Sequence, residues 1–320
     1  MLSIFTKFAK GLAVASVAAM VPFAASAEWT PKKPIDFIIM AGKGGGADKM
    51  ARLMQSVIQK NNMSPMPLTP INKSGGTGAE ALIHLKQKTG DDHTIMVTLN
   101  SFYTTPMRQS GLGVDVMTFT PIGRMAEDTF LLWVKSDSGI NNVDEFVAAV
   151  KAKKDGEWLM GGTGSGSEDN ILTDYLNATY GLKIKYIPYK GGGDVAKALA
   201  GGHIQSTVNN PSEQDGFFKA GTTKPLAAFT DERLAMYPDA PTFKELGKDF
   251  SYFMQRSVVG APGMSAEAAA YYQKLFADVY KTTEWQEYKA KKSLQGEFLT
   301  GDGLKSYWAK AIKTHEGLLK

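Results

Sequence analysis

The chain of 320 residues contains no cysteine and only four histidines. The first absence removes disulfides, thiol nucleophiles and thiolate metal sites. The second leaves little for metal ligation, since His84, His93, His203 and His315 are scattered and show no metal-ligand spacing. An excess of one charge is also missing. Lysine and arginine number 36 against 32 aspartates and glutamates, too even a balance to favour nucleic acid. Past Ala27 no apolar run approaches the ~20 residues that a membrane span needs. A chain of this length still buries enough surface to fold without disulfide staples.

The beginning of the chain has a different character. Lys7 and Lys10 precede a small, apolar stretch from Gly11 to Phe23, and Ala25-Ser26-Ala27 is an A-x-A site. This three-part pattern is that of a secretory signal peptide, 1–27, cleaved after Ala27. Export fits the absence of thiols. Loss of Lys7 and Lys10 leaves 34 basic against 32 acidic residues. The remaining length, about 293 residues, suggests two domains.

Apolar periodicity in that remainder gives strands alternating with helices. Strands are expected at 35–41, 68–72 and 94–99, with helices at 48–60 and 78–88 between them. A second set has strands at 130–134, 158–161, 185–188, 204–209 and 225–230, with helices at 143–153, 168–180, 194–200 and 211–220. A strand at 252–260 returns, and helices at 266–281, 285–292 and 303–319 close the chain, with Ser265 and Thr283 as N-caps. Alternation of this kind means parallel pairing in an α/β layer. Two lobes are expected, 28–122 plus 250–320 and 123–249, with crossings near 118–125 and 240–252. A double crossover of this kind makes a cleft that hinges on a ligand.

Four loops fall at the carboxyl ends of these strands, where open α/β sheets place ligands. They are 41–48 (AGKGGGAD), Asn100-Ser101, 161–167 (GGTGSGS) and 189–194 (YKGGGD). In the first and third, glycine admits close approach of backbone N–H groups, and the following helix adds its positive end. Taken singly these are turn glycines and helix caps. Taken together, one in each lobe, they suit a ligand with two acidic groups. The loop at 42–47 also reads loosely as G-x-G-x-x-A, but the ribose-binding acid about 20 residues on is missing, and no Gly-Lys-Ser/Thr follows to make a phosphate loop. Gly162-Thr163-Gly164-Ser165-Gly166 is no nucleophile elbow. A dinucleotide enzyme is therefore a remote alternative, and no cofactor or metal is expected.

In series, Gly44-Gly45-Gly46-Ala47-Asp48, the segment 72–78 (NKSGGTG), Gly164-Ser165-Gly166-Ser167, the segment 188–193 (PYKGGG) and Ala261-Pro262 resemble the substrate-binding proteins of tripartite tricarboxylate transporters, the Bug-type periplasmic receptors. Segments 119–123 and 240–242 add landmarks in the same order. The resemblance implies an α/β, two-lobed periplasmic binding fold of the type II, Venus-flytrap kind. It implies a monomer that is not an enzyme. Such a receptor captures a small organic acid and passes it to a two-component membrane permease. A sensory adaptor docking on a histidine kinase is the alternative, with the same site.

Carried over, the resemblance points to Ala41, Lys43, Gly46, Ala47 and Asp48 on one wall and to Gly162, Thr163, Gly166 and Ser167 on the other, with Asp48 expected to cap its helix. Asn100, Ser101, Tyr189 and Asn210 join them at the other strand ends, and Tyr189, Phe102, Tyr103 and Phe253 are candidates for an apolar lining. Lys43 stands where the family usually has proline. It either charges the anion site directly or points to water. The segment Val208-Asn209-Asn210-Pro211 lacks an aspartate that the family often has there to meet an amino group. That favours a di- or tricarboxylate. Arg256 is either a second counter-charge or half of a surface ion pair.

Overall fold

The computed structural model describes residues 29–319. The expected signal peptide and its cleavage site lie outside them. In chain order the strands are β1 (Ile35–Ile39), β2 (Leu68–Asn72), β3 (Thr94–Thr98), β4 (Thr120–Asp128), β5 (Leu131–Lys135), β6 (Leu159–Thr163), β7 (Lys185–Tyr189), β8 (Ser206–Asn209), β9 (Thr223–Ala228) and β10 (Met254–Gly260). The α-helices are α1 (Gly46–Lys60), α2 (Ala79–Gln87), α3 (Ser101–Arg108), α4 (Val143–Lys151), α5 (Glu168–Tyr180), α6 (Gly192–Ala200), α7 (Pro211–Lys219), α8 (Ala266–Lys281), α9 (Thr283–Lys291) and α10 (Gly301–Leu318). None of these helices is long and apolar enough to cross a membrane.

The strands form two sheets of like design, ordered β2-β1-β3-β10-β4 and β7-β6-β8-β5-β9. In each, three strands run parallel and the remaining two join antiparallel. Both faces of each sheet are covered, which is why strands such as β1, β3 and β5 are mostly apolar rather than alternating. In β1, Ile35, Phe37 and Ile39 pack with residues of α1, α8 and α9, while Ile38 packs with residues of α2, α3 and α10. In β5, Leu132 and Val134 face residues of α4 and α5, and Leu131 and Trp133 face residues of α6. Trp308 of α10 packs on Phe102 of α3 with ring centroids 5.0 Å apart, and burial of each such ring contributes roughly 1.5–3 kcal/mol.

Two elements differ from the sequence expectation, and the N-cap of α9 is Thr282, whose hydroxyl accepts the Trp285 N–H, rather than Thr283. Residues 123–128, expected in the second lobe, belong to β4 and pair with β10 in the first sheet. The crossing therefore falls at Thr129-Phe130. β4 contains Pro121, Gly123 and four charged or polar positions, which hide it. It survives as an edge strand with two register shifts, the setting where proline and irregularity are tolerated. The helix α3 is the other surprise, because Pro106 lies inside it and removes a backbone donor. The chain returns to the first sheet through Tyr252, whose N–H donates to the Phe229 carbonyl (2.8 Å), while Phe229 N–H donates to Phe130 (3.0 Å). The last helix braces this hinge: Tyr252 Oη lies 2.9 Å from His315 Nε2, and Leu318 and Leu319 pack on the second-lobe core.

Candidate functional site

The parallel strands of both sheets end at one cavity of about 560 Å³. On the first-lobe side lie the loop from β1 into α1, the loop 74–78 and Ser101 at the start of α3. On the second-lobe side lie the starts of α5, α6 and α7, with Met254 and Arg256 of β10 between the lobes. Helix N-termini from both lobes thus face each other, as the placement of ligands at strand ends in open α/β sheets requires. The lobes also touch: Thr77 Oγ1 donates to the Ser165 carbonyl (3.1 Å), and Lys49 Nζ to the Ser212 carbonyl (3.4 Å). Loops 42–43 and 189–191 meet as well, since a methyl at Gly42 would lie 3.0 Å from the Lys190 carbonyl oxygen.

Of the residues singled out from sequence, Ala41, Lys43, Gly46, Ala47, Ser101, Thr163, Ser167, Tyr189, Asn210 and Arg256 line this cavity. Lys43 does so while exposed. The others are placed elsewhere. Asp48 turns back into its own loop, accepting the Gly44 N–H (2.9 Å), Asn72 Nδ2 (3.0 Å) and Arg52 Nε (2.9 Å). Burial opposes its charge, but the Gly44 and Asn72 hydrogen bonds and Arg52 hold its carboxyl below the ordinary range. Asn100 is spent on the hinge: its Nδ2 donates to the Phe253 carbonyl (2.8 Å), and its Oδ1 accepts from Gln255 N–H (2.9 Å) and Tyr103 Oη (2.5 Å). Gly162 and Gly166 are structural close approaches. A methyl at Gly162 would collide with Asp169 and the Tyr186 hydroxyl, and one at Gly166 with Arg108. Phe102 and Tyr103 are core residues, while Asn210 Nδ2 ties the start of α7 to the Thr129 carbonyl (2.7 Å).

The sequence reading missed the acids. Glu168, Asp169 and Glu213 all line the cavity, each in the first turn of a second-lobe helix. An acid in a first turn is an ordinary dipole partner, so nothing in the pattern marks these three. Their geometry does. Glu168 Oε1 reaches across to accept the Ser101 N–H of α3 (3.1 Å). Asp169 Oδ2 accepts both the N–H (2.6 Å) and the hydroxyl (2.9 Å) of Thr163. Glu213 Oε2 accepts Asn209 Nδ2 (2.8 Å), and its carboxylate faces the Gly46 N–H at the start of α1. Its carboxylate lies so close over Gly192 that any side chain there would overlap it. Several donors expected to cradle a ligand anion are therefore taken by the protein's own carboxylates. Burial pushes the Glu168 and Glu213 carboxyls up from the ordinary range, and Asp169 well above it, where the charges of Glu213 and Glu168 add to burial.

Arg256 is no surface pair. It is 2% exposed, and its Nε donates to Asp128 Oδ2 (3.0 Å) while its Nη2 forms an ion pair with the same carboxylate. Burial opposes the guanidinium charge, but Asp128, then Glu213, keep its pKa above the ordinary value. A methyl at Gly46 would sit 2.6 Å from Arg256 Nη2 and 3.2 Å from Ser212 Oγ, so the three meet at the start of α1.

This architecture is shared with known receptors. The solved structure of the periplasmic binding protein BugD is 20% identical, covers 89% of this chain and 95% of its own, and superposes with a TM-score of 0.81. R. palustris Rpa4515, solved with adipate, is 20% identical, with 90% and 96% coverage and a TM-score of 0.84. By sequence, a UPF0065 protein encoded in a gbd 5′ region of Cupriavidus necator is 24% identical over 313 residues, 97% of this chain and 94% of that protein. A family description, "Tripartite tricarboxylate transporter family receptor", matches residues 50–303. The chain belongs to the tripartite tricarboxylate transporter receptor family, whose members are periplasmic solute-binding receptors and not enzymes.

Proposed function

We propose that the protein captures a small organic acid in the interlobe cavity and delivers it to the two-component permease of a tripartite transporter. It works as a single chain in the periplasm. The observation that carries this reading is the pair Lys43 and Lys190, one from each lobe, on loops that meet across a cavity built at strand ends. An ammonium from each side gives an entering carboxylate a partner on both lobes, and only the closed form presents both, which is the differential affinity that closure needs. The fold neighbour solved with adipate makes acids the first class to try. A di- or tricarboxylate is a poorer fit than the loops alone suggested, because Glu168, Asp169 and Glu213 share the cavity. One carboxylate held at the lysines fits better.

A thermal-shift screen of the purified protein tests this, with mono-, di- and tricarboxylates, aromatic acids and amino acids, and with NAD and a phosphate ester as controls. At a hundred times Kd the right acid is expected to add about 2.7 kcal/mol. Replacing Lys43 and Lys190 together by alanine is expected to weaken it about tenfold, the loss of about 1.4 kcal/mol in a charge-assisted contact. Stabilisation by NAD alone, or an acid held equally well without the lysines, contradicts the proposal.

A further inference from the structure

We propose that the solute carries a protonated amine as well as a carboxylate, and that Glu168, Asp169 and Glu213 select it. This rests on the reading of the cavity as the solute site. Glu168, Asp169 and Glu213 line the cavity, with the exposed Asp194, paired with Lys197, at its rim; Asp128 lies beneath, and the one buried guanidinium is Arg256. Arg256 is matched by Asp128, so three carboxylates remain without a buried cation of their own. Lys43, Lys49 and Lys190 face them only from exposed positions. Burying like charges together is unfavourable unless they hold protons or receive a cation.

A second observation points to a missing partner at the same place. The Ser212 hydroxyl, on the residue 6% exposed, finds no hydrogen-bond partner among the described residues. Ser212 stands just behind the lining: its hydroxyl and Arg256 Nη2 both lie against Gly46, which lines the cavity. Two donors at the helix starts are already turned to the protein's own acids: Ser101 N–H donates to Glu168 (3.1 Å), and Gly46 N–H faces Glu213. An ammonium group has three donors, enough to engage two of the acids and the orphaned hydroxyl. The class of ligand is then an amino acid or another amino-carboxylic acid. The missing aspartate after β8 does not argue against it, since Glu213 on α7 occupies the cavity instead.

The test is calorimetric titration of the purified protein with ligand pairs that share a carbon skeleton and differ in one amine: glutamate against glutarate, aspartate against succinate, 6-aminohexanoate against hexanoate. At least one amine-bearing member is expected to bind ten times or more tighter than its partner. Glu213→Gln and Glu168→Gln are expected to erase that preference without abolishing the weaker binding of the amine-free acid. Repeating the titration in two buffers of different ionisation enthalpy is expected to show net proton release on amine binding, because the arriving cation ionises the cluster. This readout needs no variant. Tighter binding of the amine-free acids, or amine binding without proton release, overturns the inference and leaves the acid receptor standing. Binding of neither series overturns the receptor reading and this inference with it.

Discussion

Replacing Arg256 by methionine is expected to cost about 3–5 kcal/mol of folding stability, the range for breaking a buried ion pair by removing one partner. The change leaves Asp128, itself 1% exposed, as a bare charge beneath the cavity. It also removes the positive charge that faces Glu168 and Glu213. For an isolated buried pair, substituting both partners by apolar residues is often nearly neutral. Here the Arg256→Met, Asp128→Leu double variant is expected to recover only part of the loss, because two further carboxylates lose their counter-charge. Urea denaturation of wild type, both single variants and the double variant measures this directly. Full recovery in the double variant would mean that Arg256 serves Asp128 alone.

The second large effect is on pH dependence. Glu168, Asp169 and Glu213 have carboxyl pKa values raised by burial. Between the ordinary carboxylate range and their raised values, the folded protein keeps protons that the unfolded chain has lost. Stability from these groups is therefore present at low pH and falls as pH rises, by about 1.4 kcal/mol for each tenfold by which folding tightens a group's hold on its proton. His84 and His315, lowered by burial, act in the opposite direction, since the unfolded chain takes up their protons as pH falls. Asp48 and Asp91, whose carboxyls are held below the ordinary range, lose their contribution only at more acid pH. Comparison of Glu213→Gln with wild type cancels His84, His315, Asp48 and Asp91, whereas Asp169, which the Glu213 charge raises, shifts with it. The groups facing Glu213 are Arg256 and Asp128 from the first sheet, Lys49 from α1, Asp169 from α5 and Tyr288 from α9.

The glutamine variant is expected to match wild type near pH 5. It should become more stable than wild type as pH rises to 8, by about 1–2 kcal/mol if folding tightens the Glu213 proton roughly tenfold. Thermal melts across that range, without ligand, read the difference. A constant difference at all pH values contradicts the claim that Glu213 is strained by ionisation. The variant that gains stability is also the one expected to lose amine recognition, the trade that binding sites commonly show.

Much of the fold is legible because both faces of each sheet are covered. Runs such as 35–39 and 94–98 are mostly apolar, and the glycines that follow the first of them stand at the start of α1. Edge strand β4 was not legible, since it keeps few of the apolar residues that a central strand requires. The cavity was half legible. Glycine loops disclose where the backbone is bare, and these loops do face one another across the lobes. What they hold depends on side chains that arrive from the opposite lobe. Glu168 lies one residue past the loop 161–167, and Glu213 three past Asn210. Their sequence signal is weak, because acids in a first helical turn are common. Only the closure of the two sheets places them on Ser101 and Gly46. The departure that did carry information was Lys43 in place of proline, since it lines the cavity together with Lys190.

The most direct measurement is a crystal structure of the protein with the tightest ligand from the titrations. The expected result is one molecule between the lobes, its carboxylate toward Lys43 and Lys190 and its amine within hydrogen-bond distance of Glu213 or Glu168. A ligand bound outside this cavity, or one whose carboxylate displaces Glu213 from the Gly46 N–H, would contradict it.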